Sequence, residues 1–359
     1  MNIFQILKSF VFLALSLITI FKCYFVSKKK AQLVILKPNN PNLIDSRIKI
    51  YQKDDISNYI NFIRGQHFWD GIKIFFRLQN TIFFNHIFNI LEFSHSLFGN
   101  RVNKTRKNYI LLLSKILKFL KIKEFYSIDD YRSIHIFSKV CNLSNSNLII
   151  FQHGRISLNL FYQKTLKNLK FKEYFVWNNY FKNKLLLFNK NYINYKITVL
   201  NKFPQIKKSI KSSKKLNLLI IQEDIINNET IFELILKLKK VKNSKIYFKF
   251  RPNNLIDENL KSFLIDNQVK FFYQENIYKL FKDYKISFLL ASNSSLLLEC
   301  SYFSIFPIMF YVKKPILSEY IVDKVVFPSK IKCINKEIMK IRNQELKLLK
   351  IKKKVWINQ

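Results

Sequence analysis

The sequence predicts an α/β fold of two Rossmann-like domains preceded by a hydrophobic helix. Three observations carry that prediction. From Leu216 onward, short apolar runs alternate with helical stretches, the beat of parallel strands joined by right-handed crossovers. At 359 residues with 49% hydrophobic content, the chain is long for one core and suits two domains of ordinary size. An apolar stretch, Ile3 to Val26, opens the chain. The expected divisions are a hydrophobic, membrane-associated segment at 1–30, a first α/β domain at 31–206 and a second at 207–359.

Ser9 to Phe21 is uninterrupted apolar sequence apart from small hydroxyl residues, with Lys8 and Lys22 at its ends and Lys28-Lys29-Lys30 beyond. A spanning helix needs about 20 apolar residues, and flanking lysines can snorkel. The stretch reads as a membrane anchor with its basic flank in the cytoplasm, a helix lying in the membrane surface, or a buried first helix. A secretory signal is disfavoured, because no small-residue cleavage site follows.

Gln32 to Leu36 reads as a strand ended by Pro38 and Pro41. Ile48 to Phe98 reads as mostly helical, with His67, His86 and His95 as packing or surface residues whose spacing fits no metal pair. Asn100 to Lys107 is a basic loop, and Tyr109 to Leu120 a helix. Ile122–Tyr126, Ile134–Val140 and Leu148–Phe151 are three short apolar runs punctuated by Asp129-Asp130 and Asn142 to Asn147, read as strands closing a first α/β domain. A helix with Ser157 at its N-cap follows, then a strand at Tyr174 to Trp177 and a helix at Phe181 to Leu187. Lys207 to Lys215 is a polar, basic connection.

The second alternation then runs regularly. Strands are expected at Leu216–Ile221, Lys245–Phe250, Val269–Tyr273, Ile286–Leu290 and Ile305–Phe310. Helices are expected at Glu229–Lys239, Asp257–Ile265, Ile277–Tyr284, Leu296–Tyr302 and Ile316–Val322.

Chemistry-bearing residues gather where these strands end, the place at which open α/β sheets carry their ligand sites. In the first domain the strand Leu148–Phe151 runs into Gln152-His153-Gly154-Arg155. Gly154 is the only glycine after Gly99 in a chain that holds 4, which suits a position needing positive φ or close ligand approach. His153 beside it is the side chain best suited to move a proton near neutral pH. In the second domain Leu216–Ile221 ends at Gln222-Glu223-Asp224, and Lys245–Phe250 ends at Arg251-Pro252. Lys249 and Arg251 fall on one face if the strand is regular, and the fixed φ of Pro252 turns the chain away. Ser294-Ser295 opens the helix after the strand Ile286–Leu290, with Glu299 near capping-box spacing. Two hydroxyls at a helix start suit an anionic phosphate or a plain cap.

The formal charge is +39, from 62 Lys+Arg against 23 Asp+Glu, which favours anionic partners. The lysines are scattered, and no nucleic-acid-binding module is recognisable, so nucleic acid is not an expected partner. Glycine-rich phosphate loops are absent. The four cysteines form no CxxC pair, and Cys141 and Cys300 read as buried and reduced.

The order of these motifs resembles bacterial nucleotide-sugar glycosyltransferases of the two-domain GT-B type, above all sialyltransferases and related capsule and lipopolysaccharide transferases that use CMP-activated sugars. In that resemblance Gln152-His153-Gly154 stands where the family carries its base, with His153 in place of the usual carboxylate. Lys249-Phe250-Arg251-Pro252 stands at the nucleotide-contacting motif, with Arg251 replacing a histidine. Ser294-Ser295 stands at the phosphate-binding pair, and Leu298-Glu299-Cys300 continues in the family manner. The likeness covers about residues 148–312.

The resemblance implies an inverting glycosyltransferase without a cofactor, working at the cytoplasmic face of the inner membrane, and no metal is expected because no carboxylate pair such as DxD appears in the second half. The donor would be a CMP-sugar and the acceptor a surface glycan or glycolipid, beside an anionic membrane surface. His153 would be the catalytic base. Lys249, Arg251, Pro252, Ser294 and Ser295 would bind the donor, and Gln152, Gly154, Arg155, Gln222 and Glu223 would orient substrates. A polyol-phosphate transferase or a non-catalytic, membrane-associated binding protein is the alternative.

Overall fold

A computed structural model describes residues 3–26, 30–34, 36–37, 40–44, 59–63, 68–78, 80–97, 102–127, 134–152, 169–200, 215–223, 226–251, 257–315 and 318–357. The chain divides into two compact units, one of residues 1–177 and 182–200, the other of 178–181 and 201–359.

The first unit is built on a parallel sheet. Its strands are β1 (Lys30–Val34), β4 (Ile60–Ile63), β5 (Thr81–Phe83), β6 (Glu124–Ser127), β7 (Asn147–Phe151), β8 (Glu173–Val176) and β9 (Lys196–Val199). They lie in the order β5-β4-β1-β6-β7-β8-β9, and every neighbouring pair is parallel. Two short strands, β2 (Leu36–Lys37) and β3 (Asn40–Ile44), pair antiparallel beside it. The helices are α1 (Ile3–Val26), α2 (Phe68–Leu78), α3 (Phe84–Leu97), α4 (Val102–Phe119), α5 (Ile134–Ser144) and α6 (Asn179–Phe188), the last belonging to this unit from residue 182 on.

Three expectations are corrected here. The basic stretch expected as a loop over Asn100 to Lys107 is helical from Val102, as the first turns of α4. Ile134–Val140 is not a strand but the start of α5. It buries Ile134, Phe137, Ser138, Cys141 and Ser144, the three- and four-residue spacing of one helix face. Phe137 stacks on Phe125 of β6 at 4.5 Å, so the helical period is enforced by the sheet beneath. The mostly helical region Ile48–Phe98 also holds β4 and β5. Ile60, Phe62, Ile63, Ile82 and Phe83 are fully buried, and strands buried on both faces show no alternation to read.

Helix α1 is long and apolar enough to cross a membrane by length and composition. It also packs on the first unit. Ser9, Phe12, Ser16, Thr19 and Cys23 are buried. The Phe12 ring lies 4.5 Å from Phe83 and 4.6 Å from His86, and it approaches α2 at Gly71, where an added Cβ would overlap it.

The second unit carries the strands β10 (Leu216–Ile221), β11 (Ser244–Lys249), β12 (Lys270–Phe272), β13 (Phe288–Ala291), β14 (Phe306–Tyr311) and β15 (Phe327–Lys330). All pairs are parallel, in the order β12-β11-β10-β13-β14-β15. Its helices are α7 (Asn228–Leu238), α8 (Glu258–Asp266), α9 (Ile277–Asp283), α10 (Leu296–Tyr302), α11 (Ser318–Val322), α12 (Ile334–Ile341) and α13 (Glu345–Lys352). The expected alternation from Leu216 to Val322 holds element for element. Its helix starts are set by side-chain caps: Asn227 accepts from the Thr230 N–H, Asp257 from Leu260 and Asn276 from Tyr278, each satisfying a donor the helix leaves unpaired. The last strand, β15, and the helices after it add elements that no motif announced. The fold is that of two Rossmann-like α/β units, with the expected apolar helix at the start.

Candidate functional site

Both parallel sheets reverse their winding direction once. In the second unit the reversal lies between β10 and β13, whose crossovers lead to opposite sides. The crevice at the carboxyl ends of such a strand pair is where a doubly wound sheet binds ligands.

The residues after β10 and β13 are joined there. Glu223 is buried, and its two carboxylate oxygens accept the backbone N–H groups of Ser292 and Asn293 at 2.5 and 2.7 Å. A carboxylate held by two amides is a charge-assisted arrangement, shorter and stronger than a neutral one. It fixes the path of the segment that leads into α10.

That segment presents the two expected serines. Ser294 Oγ accepts the Leu296 N–H at 3.2 Å, and Ser295 Oγ donates to Glu299 Oε1 at 3.1 Å. Both serines are half-buried. Glu299 is buried, and its other oxygen accepts the Tyr278 hydroxyl from α9. The Tyr278 ring stacks on Phe303 at 5.4 Å. Helix α10 is held from below by Trp356, whose Nε1 donates to Leu298 O and Ser301 Oγ, both at 3.1 Å.

Beside β10, Gln222 Oε1 accepts the Arg251 N–H at 3.0 Å, so the ends of β10 and β11 are tied by a side chain. Arg251 is exposed. Lys249 is not presented with it. It is buried, and its ammonium donates to the backbone carbonyls of Phe250 and Tyr273. The same-face expectation depended on a regular strand continuing through Arg251, but β11 ends at Lys249. Pro252 and Asp224 lie outside the described residues.

In the first unit Gln152 is fully buried at the end of β7. Its Oε1 accepts the Trp177 N–H at 2.8 Å, its carbonyl accepts from Trp177 Nε1 at 3.2 Å, and its own N–H donates to Phe175 O at 2.9 Å. This side chain therefore binds the end of β7 to the end of β8. His153, Gly154 and Arg155 lie outside the described residues.

The structure thus brings together Gln222, Glu223, Arg251, Ser294 and Ser295 at the strand ends of the second unit. It adds two residues that sequence reasoning gave no separate role, Glu299 and Tyr278. Glu299 was visible as a carboxylate four positions after Ser295. Tyr278 carried no signal, because its proximity to Glu299 is a tertiary fact.

No protein-family model matches the chain, and no curated protein is significantly similar to it. Solved structures are similar in fold. A UDP complex of MnaA from S. aureus superposes with a TM-score of 0.55 at 11% identity, over 91% of this chain and 91% of that one. A UDP-N-acetylglucosamine 2-epimerase homologue from Listeria monocytogenes gives a TM-score of 0.55 at 8% identity, over 92% of each chain. MurG from Acinetobacter baumannii gives 0.53 at 9% identity, over 91% of this chain and 94% of that one. These are proteins of the GT-B fold, and the present chain shares that fold.

Proposed function

We propose that the chain is a glycosyltransferase that uses a nucleotide-activated sugar and acts at a membrane surface, with the donor nucleotide in the crevice at the carboxyl ends of β10, β11 and β13. The observation that carries this reading is the cluster of Glu223, Ser294, Ser295 and Glu299 at the reversal point of the second sheet. Glu299 has the chemistry to accept hydrogen bonds from ribose hydroxyls. The serine hydroxyls and the Arg251 guanidinium have the chemistry to hold phosphate oxygens. Because Glu223 already occupies the Ser292 and Asn293 amides and the Ser295 hydroxyl donates to Glu299, the phosphate would take its donors from Ser294 and Arg251, and from Ser295 only if that bond to Glu299 is exchanged.

UDP takes the place of CMP as the first nucleotide to test. The sequence resemblance pointed to CMP, but the similar MnaA structure was solved with UDP. The remaining parts of the reading come from the sequence. His153, just beyond β7, would take the proton of the acceptor hydroxyl. The acceptor oxygen would bond to the anomeric carbon as the sugar–phosphate bond breaks, with its electron pair going to the phosphate oxygen. Positive charge from Arg251 would stabilise the leaving phosphate in an inverting step. The acceptor would be a surface glycan or glycolipid.

A second reading is a nucleotide-sugar epimerase, since one of the similar structures is a 2-epimerase homologue. The test separates the two. Full-length protein is screened by thermal shift against UDP, CMP, CDP and GDP, then incubated with the matching radiolabelled sugar nucleotide. A ligand bound only by the folded state raises the melting temperature. Stabilisation by UDP that is lost in Ser294→Ala and Glu299→Gln, with label passing to lipid or glycan and free UDP appearing, supports the transferase. Conversion of the sugar without UDP release supports the epimerase. Absence of any nucleotide effect defeats both.

A further inference from the structure

We infer that α1 lies in the plane of an anionic lipid bilayer, seated on the first unit by its polar face, and does not cross the membrane. This rests on the membrane side of the reading above and not on its chemistry, so lipid seating and nucleotide binding can fail separately.

The helix is turned inside out relative to an ordinary surface helix, which buries its apolar stripe and exposes its polar one. Its buried residues, Ser9, Phe12, Ser16, Thr19 and Cys23, are spaced by alternating steps of three and four and so form one face. Four of the five are small and polar or weakly polar, and three of them bond to the unit behind. Ser9 Oγ bonds to His86 Nδ1 at 3.0 Å, the Phe83 N–H donates to Ser16 Oγ at 3.0 Å, and Cys23 Sγ lies 3.6 Å from Asn80 Oδ1. On the opposite face Phe4, Leu7, Ile18, Phe21 and Phe25 are each at least 55% exposed. A contiguous apolar face of this length on a water-facing protein marks a partner.

Two observations name that partner as anionic lipid. The chain carries a formal charge of +39. Lys22 is exposed at the edge of the apolar face, where its ammonium reaches headgroups as the face enters the acyl boundary, while the Lys8 ammonium lies over the buried Phe12 ring at 6.0 Å. The geometry also opposes a spanning helix. The bonds run along α1 from Ser9 to Cys23, and their partners belong to β5, α3 and the residue before β5. A crossing helix would either break these bonds or draw the attached polar backbone into hydrocarbon, where each unsatisfied group costs several kcal/mol.

The protein supplies its own reporter. Trp69 on α2 is 71% exposed, whereas Trp177 and Trp356 are 1% and 7% exposed. Trp69 contacts Phe68, which contacts Phe12 of α1. The full chain, kept in solution by mild detergent, is mixed with vesicles of phosphatidylcholine alone or with phosphatidylglycerol. The expected result is flotation with the phosphatidylglycerol vesicles, weakened by salt, with a blue shift of Trp69 emission that Trp69→Phe abolishes. Leu7→Lys with Ile18→Lys, both exposed positions, is expected to lower partitioning on the order of a hundredfold, with the melting temperature and nucleotide binding retained.

Orientation is read by a fluorophore at Phe4→Cys, Val11→Cys, Ile18→Cys or Phe25→Cys, each with Cys333→Ser. The other cysteines are buried. In-plane seating gives the same quenching by a shallow brominated lipid at all four sites. Quenching that is deep at Val11 and Ile18 and shallow at Phe4 and Phe25 would mean a spanning helix and overturn the inference. Failure to bind vesicles, with a dimer found by light scattering, would overturn it in favour of a second copy of the chain.

Discussion

Glu223 and Ser292 sit on opposite sides of the reversal point of the second sheet, and the carboxylate of one accepts the backbone N–H of the other at 2.5 Å. The bond converts a topological feature into a rigid one, because the crevice walls are joined by a buried charge with two amide donors.

Glu223→Gln keeps the shape and removes the charge, and it turns an NH2 group toward one amide. The expected cost is about 2 kcal/mol of stability, read from urea midpoints. Because the Ser294-Ser295 segment loses its fixed start, UDP affinity is expected to fall as well, by about tenfold. Retained stability together with retained affinity would show that the bond is incidental.

Lys249 and Arg251, neighbours in sequence at one strand end, are expected to separate functionally. Lys249→Met leaves the Phe250 and Tyr273 carbonyls without their buried donor and should cost about 1–3 kcal/mol of stability, with nucleotide affinity unchanged. Arg251→Ala, at an exposed side chain, should leave stability unchanged and weaken nucleotide binding about tenfold. Isothermal titration beside chemical denaturation distinguishes them. The reverse pattern would place Lys249 at the phosphate.

His86 is buried against Phe12, and burial, with the Lys8 charge as a smaller cause, lowers its pKa to about 4 from the usual 6.5. The folded state therefore keeps it neutral. Below pH 6.5 the unfolded chain binds a proton that the folded chain refuses until about pH 4. Stability is complete above pH 6.5, falls as the pH drops through that window, and levels off below it, a loss of about 3 kcal/mol. Denaturation midpoints at pH 7 and pH 4.5 should differ more in the wild type than in His86→Gln. Equal differences would remove His86 as the cause.

Gly71→Ala tests the seat of α1. Inside α2 the change gains about 1 kcal/mol of helix propensity. Against this, the new Cβ overlaps the fully buried Phe12 ring, and overpacking a core costs about 1–3 kcal/mol. Net destabilisation is expected, relieved when Phe12→Leu is added. A stabilised Gly71→Ala would mean that α1 does not dock there.

Much of the fold was legible because local pattern and tertiary environment agreed. From Leu216 to Val322 each strand is an apolar run, each helix has a periodic face, and caps such as Asn227 and Asp257 mark the starts. Where they disagreed, reading failed. Ile134-His135-Ile136-Phe137 has the β-branched and aromatic content of a strand, yet it forms a helix because Phe125 and the sheet select its three- and four-residue spacing. The candidate site was partly legible. Ser294, Ser295 and Glu223 could be named from their places after apolar runs, while the inward turn of Lys249 and the Tyr278–Glu299 contact depend on residues distant in sequence.

By itself, the sequence determined the alternation that makes the sheets parallel, the polar residues at strand ends, and the existence of an apolar first helix, because each follows from local composition and period. Tertiary structure alone decided which face of that helix is buried. Its outer face is the more hydrophobic, so burial of apolar area alone would have put Ile18 and Phe25 inward. The first unit instead offers His86, Asn80 and the Phe83 N–H along that edge. A buried polar group must meet a partner, so these groups face Ser9, Cys23 and Ser16, and the apolar face is left on the outside.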